Sequence, residues 1–85
     1  MEWDDAKDQS NRAKHGVSFD LIEGFDWESA LTREDARGDY GERRFVSLGE
    51  IDNRLYVAVW TMRETIRLIS LRKANKREQR IYDEA

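Results

Sequence analysis

The sequence contains no cysteine and only one histidine, His15. Without thiols there are neither disulfides nor thiolate metal sites. One imidazole excludes the two- and three-histidine zinc sets, and with them paired-histidine nuclease chemistry. No apolar run approaches the ~20 residues needed to span a bilayer. The acidic opening Met1-Glu2-Trp3-Asp4-Asp5 lacks the cationic and apolar regions of a signal peptide. A cytoplasmic chain without cofactor, metal or membrane contact is expected. Gly38-Asp39-Tyr40-Gly41 has neither the lysine nor the spacing of a phosphate-binding loop. Serine, histidine and aspartate are present, but no motif joins them, and the many carboxylates show no spacing that singles out a metal set.

What is present is 85 residues, the length of a single domain spanning 1–85. A chain this short buries only ~60–65% of its unfolded surface, so the core is thin. Charged and hydrophobic residues each make up 39%, and mean hydropathy is −0.90. That balance leans toward disorder, but three Trp, three Tyr and three Phe lie within patterned segments. The net charge of −3 conceals a division. Residues 1–42 hold 12 Asp and Glu against 5 Lys and Arg, whereas residues 43–85 hold 6 against 10. An acidic face and a basic face are expected.

Residues 1–3 could add a short edge strand. The stretch from Asp5 to Lys14 reads as a helix, capped by Asp4 or Asp5 and ended by His15-Gly16. It is almost wholly polar, and Lys7, Asn11 and Lys14 share one face. Ser18 caps a second helix to about Phe25, with Val17 stapled on Ile22. Residues 26–34 read as a short imperfect strand or extended loop, and 37–41 as a loop. Three strands are expected over 43–48, 55–62 and 65–71, with a turn of the Asx type at 49–53, giving an antiparallel meander. Strong helix formers run from Lys73 to Glu84. The order is that of an α+β fold: two N-terminal helices, a meander sheet and a C-terminal helix.

The chemically informative feature is basic. Arg63, Arg67, Arg72, Lys73, Lys76, Arg77 and Arg80 fall within one strand and the helix after it, with Arg43 and Arg44 on a nearby strand. Arginines fixed on a sheet bind phosphate bidentately and stabilise charge developing on a phosphorane. Trp60, Tyr56 and Tyr82 could stack on unpaired bases, or form core. The arginines could equally protect strand edges. Arg67 sits mid-strand on what reads as the central strand, on the face of Ile69 and Leu71. It requires a partner: Glu42, Glu64 or Glu78, or a phosphate. His15 is the one side chain with an unperturbed pKa near neutrality, suited to acid–base work or to a cap on the helix dipole.

Taken in order, Trp3-Asp4 with Lys7, Asn11 and Lys14-His15-Gly16-Val17-Ser18-Phe19, then Gly41-Glu42-Arg43-Arg44, Gly49, Tyr56 to Arg63, and Ile66-Arg67-Leu68-Ile69-Ser70-Leu71-Arg72-Lys73-Ala74-Asn75 with Glu78 and Tyr82, resemble the BrnT-type ribonuclease toxins. Two departures are Asp5, where the family often has proline, and Glu64-Thr65, where a glycine is common. The resemblance implies a RelE-like fold and a metal-independent endoribonuclease of a type II toxin–antitoxin pair that inhibits translation. It also implies neutralisation by an antitoxin with a ribbon-helix-helix DNA-binding domain, which alone contacts operator DNA. Carried over by position, Arg63, Arg67, Arg72, Glu78 and His15 are candidates for catalysis. Arg44, Ser70, Lys73, Arg77 and Tyr82 are candidates for RNA binding. The rival reading is a non-catalytic or inactivated module whose basic face holds an acidic partner or a nucleic acid.

Overall fold

The computed structural model describes residues 1–36, 38 and 41–85. Its elements are helix α1 (Asp5–His15), a 3-10 helix (Phe19–Gly24), strands β1 (Leu31–Asp35), β2 (Arg44–Ile51), β3 (Arg54–Met62) and β4 (Ile66–Lys73), and helix α2 (Lys76–Glu84). The four strands form one antiparallel meander in the order β1-β2-β3-β4. The fold is therefore α+β, with helices before and after the sheet. The second N-terminal helix is 3-10 rather than α. Of the loop expected at 37–41, Arg37, Asp39 and Tyr40 lie outside the described residues.

Local chemistry sets the boundaries. The Asp4 carboxylate accepts from the Ala6 N–H at 2.9 Å and starts α1. Gly16, at φ 69°, closes it by returning its N–H to the Arg12 carbonyl. Asp52 and Asn53 turn the β2–β3 hairpin with φ 48° and 65°, the left-handed pair that a two-residue turn requires. The C-terminal helix begins three residues later than propensity suggests. Lys73 extends β4, and Asn75 caps α2 in a reciprocal box with Glu78.

One face of the sheet carries the main core. Phe19, Ile22 and Phe25 from the 3-10 segment pack with Ala58, Leu68 and Leu71. Val17 and Ile22, the expected staple, are both buried there. Phe25 lies so close to Gly49 that a Cβ at that position would stand 2.4 Å from its ring. On the same face Trp60 stacks on Phe45, with centroids 4.6 Å apart, and donates its ring N–H to Ser47. Tyr56 is buried. Tyr56 is therefore core, whereas Trp60 is half-buried on the same face, away from the arginines of the other face.

The sequence pattern misplaces two features of β4. It is the last strand of the sheet, not a central one; its outer edge meets Glu2, through a parallel bridge to Arg67, and farther along the Asn11 side chain. That bridge is what the expected N-terminal strand becomes. A bulge also interrupts β4: Val59 pairs with Ser70 and Trp60 with Leu68, leaving Ile69 unpaired. The extra residue puts both Leu68 and Leu71 in the core. Arg67, whose partner Thr61 points the other way, is thus on the face opposite Leu71.

Helix α1 reaches the sheet through polar groups. Asn11 is buried and donates to the Val17 carbonyl at 2.9 Å and the Leu71 carbonyl at 2.7 Å. Its oxygen accepts from the Leu71 N–H at 3.1 Å. One amide thereby satisfies backbone groups on the open edge of β4. The buried Asp8 accepts from the Phe19 N–H at 2.9 Å. The smaller helix α2 has no buried residue, and Tyr82 packs beside the cluster of Leu55, Val57 and Ala74 on the opposite face of the sheet.

Candidate functional site

The face of the sheet away from Phe19 is only partly covered by α2, and there the alternation of β2, β3 and β4 assembles cations in rows. Arg44, Thr61 and Arg67 form one row across three strands. Val46, Val59 and Ser70 form the next, and Leu48, Val57 and Arg72 the third. Thr61 and Val57 are four residues apart on β3, which places Arg67 and Arg72 about 13 Å from each other along the strand.

The first row borders a depression of about 220 Å³ whose lining includes Asp4, Lys7, Glu42, Arg44, Thr61, Arg63 and Arg67. Thr61 is buried and forms its floor. Arg63, in the turn between β3 and β4, bonds to the Glu42 carboxylate at 3.3 Å. Arg67 lies 3.8 Å from the Glu2 carboxylate, which also accepts from the Thr65 hydroxyl at 2.7 Å. The Thr61 hydroxyl, which donates to the Arg43 carbonyl at 2.6 Å, also stands against Glu42. That contact first, then the Arg63 guanidinium, holds the Glu42 carboxyl below the usual carboxylate range.

The third row leads into a second depression that includes Arg33, Val57, Val59, Arg72 and Glu78. Here Arg72 grips Glu78 with two bonds of 2.8 and 2.7 Å, the fork geometry that guanidinium and carboxylate share. Glu78 also accepts from the Asn75 N–H at 2.9 Å. Arg72 first, and the Asn75 N–H after it, keep the Glu78 carboxyl well ionised. One carboxylate therefore serves the α2 cap and the strand at once. His15, the last residue of α1, is half-buried. Burial first, then Lys14 and Arg72, push its pKa below the ordinary imidazole value, which favours the neutral form. Its surroundings oppose the charged form that a dipole cap would favour.

The sequence cluster thus resolves into separate places. Arg44, Arg63 and Arg67 converge in one depression; Arg72 and Glu78 form a pair in another, with His15 within electrostatic reach of Arg72. Ser70 lies between them, opposite Val59. Lys73 ends β4 opposite Tyr56, and Arg77 is exposed on α2. The Tyr82 hydroxyl is raised by burial, then by Glu50, Asp26 and Asp83, which sets it toward the acidic side and away from Arg67. The partner of Arg67 is Glu2 rather than Glu42, Glu64 or Glu78, since Glu42 takes Arg63 and Glu78 takes Arg72. The sequence pattern named Lys7 on the face of Asn11, and Thr61 on β3, without making either a site candidate. Their signals were present: Thr61 alternates with Val57 and Val59, and Lys7 stands one helical turn before Asn11. Among the described residues no group of three His, Cys, Asp or Glu side chains could hold a metal ion. No helix among them is long and apolar enough to cross a membrane.

An arginine-lined depression on an open sheet face has the chemistry to hold a phosphodiester. The family model described as the ribonuclease toxin BrnT of type II toxin–antitoxin systems matches residues 3–78. No curated protein matches the chain. With the match running from Trp3 through the strands that carry Arg44, Arg63, Arg67 and Arg72 to Glu78 itself, the chain belongs to the BrnT family of ribonuclease toxins.

Proposed function

We propose that residues 1–85 form a RelE-like toxin domain that cleaves RNA without a metal ion and thereby inhibits translation in the cytoplasm. The observation that carries this reading is the convergence of Arg44, Arg63 and Arg67 on one depression of the open sheet face. In the reaction the RNA 2′-oxygen attacks the adjacent phosphorus and the bond to the 5′-oxygen breaks, leaving a 2′,3′-cyclic phosphate. The 2′-hydroxyl proton passes to a base, and the departing 5′-oxygen takes up a proton. Arg63 and Arg67 stabilise the phosphorane charge, Arg44 holds the strand, and Ser70 and Arg77 extend the contact along the sheet and α2. Lys73, paired with Tyr56 on the packed face, and Tyr82, beside Glu50 and Asp26, would meet RNA only at its margin. Two groups are suited to proton transfer. His15, whose burial favours the neutral imidazole, has a free nitrogen lone pair to act as the base. Glu78 requires Arg72 to leave it first, which couples Arg72 to the same step.

The partner in this reading is an antitoxin with a ribbon-helix-helix domain that covers the cationic face and carries the pair to operator DNA. A purified chain incubated with RNA in EDTA should yield fragments ending in 2′,3′-cyclic phosphate; cleavage abolished by EDTA contradicts the metal-free mechanism. A second reading is favoured by one observation: Arg63, Arg67 and Arg72 each already face a carboxylate. A non-catalytic module using that face to hold a partner would bind RNA or an acidic protein but leave RNA intact in the same assay.

A further inference from the structure

The depression beside Thr61 contains a cation from outside the sheet. Lys7 lies on α1, yet it lines the same space as Arg44, Arg63 and Arg67. Its position follows from two anchors. Glu2 pairs with β4, its N–H bonding to the Ile66 carbonyl at 3.0 Å and its carbonyl accepting from the Leu68 N–H at 2.8 Å. Asn11 grips the N–H and carbonyl of Leu71 farther along the same strand. Between these clamps α1 has one orientation, and Lys7, four residues before Asn11, shares the face that meets β4. Among the described residues Lys7 makes no ion pair, whereas Arg63 and Arg67 each have one with Glu42 and Glu2. Lys7 is exposed and its helix is nearly all polar, so neither packing nor helix stability depends on it.

We propose that Lys7 is a phosphate contact for single-stranded RNA in this depression, a cation that meets the ligand without first leaving a carboxylate, as Arg63 and Arg67 must. This rests on the ribonuclease reading above and adds a binding residue to it. An ammonium on a flexible stem can follow the phosphate as a point charge while the arginines hold fixed directions. The two backbone clamps on β4 are then what bring a helix side chain to a site otherwise built by the sheet.

The test compares the wild-type chain with Lys7→Gln, Lys7→Arg and Arg54→Gln. The last removes the same charge at the β2–β3 hairpin, the opposite end of the sheet. The probe is a fluorescent single-stranded RNA of about a dozen nucleotides with 2′-O-methyl sugars, so that binding is read without cleavage, and a 2′-hydroxyl version reports cutting. Lys7→Gln should weaken binding about tenfold and reduce the slope of log affinity against log salt by ~0.7, the release expected for one phosphate contact on a single strand. Lys7→Arg should restore both, and Arg54→Gln should stay within about twofold of wild type. If the wild type binds and cuts RNA but Lys7→Gln behaves as Arg54→Gln does, the contact is wrong and the ribonuclease reading stands. If the wild type neither binds nor cuts, that reading fails and the proposal with it.

Discussion

On one face of the sheet Phe19, Leu68 and Leu71 are sealed from water, while on the other Arg44, Arg67 and Arg72 surround depressions open to solvent. The two faces are read from the same strands, one residue apart. Thr61 and Trp60 are neighbours on β3, yet Trp60 stacks on Phe45 on the packed face and Thr61 lines the cationic site. What separates the packed face from the cationic one in so small a chain is therefore the strand's two-residue period, reset once at the bulged Ile69.

The division is open to attack from either side. Leu71→Ala on the packed face should have the largest effect on stability, about 2–5 kcal/mol in urea unfolding, because Leu71 is fully buried between sheet and helices. A loss below about 1 kcal/mol would mean that this face is not the principal core. Asn11→Ala should cost about 1–3 kcal/mol, since it strands the N–H and carbonyl of Leu71 that the amide now satisfies. Unchanged stability there would show that α1 is held by something else.

The smallest effect is expected where α2 meets the open face. Glu78→Gln removes the ionic half of a pair that is partly exposed to solvent, so screening limits the cost to about 1 kcal/mol. The sign of its pH dependence follows from the depressed carboxyl. The contribution is complete above pH 4.5, the ordinary value for this group, and is lost as pH falls through the lower value that Glu78 has when folded. Wild type should therefore lose stability relative to Glu78→Gln on acidification, and parallel curves would contradict the pairing.

Much of the fold was legible because its signals are local. Asp4 and Gly16 bracket α1, the alternation of β3 fixes its two faces, and Asp52-Asn53 marks the hairpin. The bulge was not legible, because apolar residues continue on both sides of Ile69 and the pattern alone predicts Arg67 and Leu71 on one face. Nor was the docking of α1, where Asp8 and Asn11 carry no hydrophobic signature. For the site, arginine spacing located Arg63, Arg67 and Arg72 but ran them together as one cluster. Their partners lie far apart in sequence for Arg67 and Arg63, at Glu2 and Glu42, and only tertiary structure assigns them.

The central claim is that the open face performs chemistry on RNA while the packed face maintains the fold. The most direct measurement takes the rate of RNA cleavage and the thermal midpoint together, on purified wild type and Arg67→Ala. The account predicts a loss of about a hundredfold or more in rate with a midpoint shifted by only a few degrees, since the pair with Glu2 is exposed and long. Cleavage at the wild-type rate by folded Arg67→Ala would contradict it.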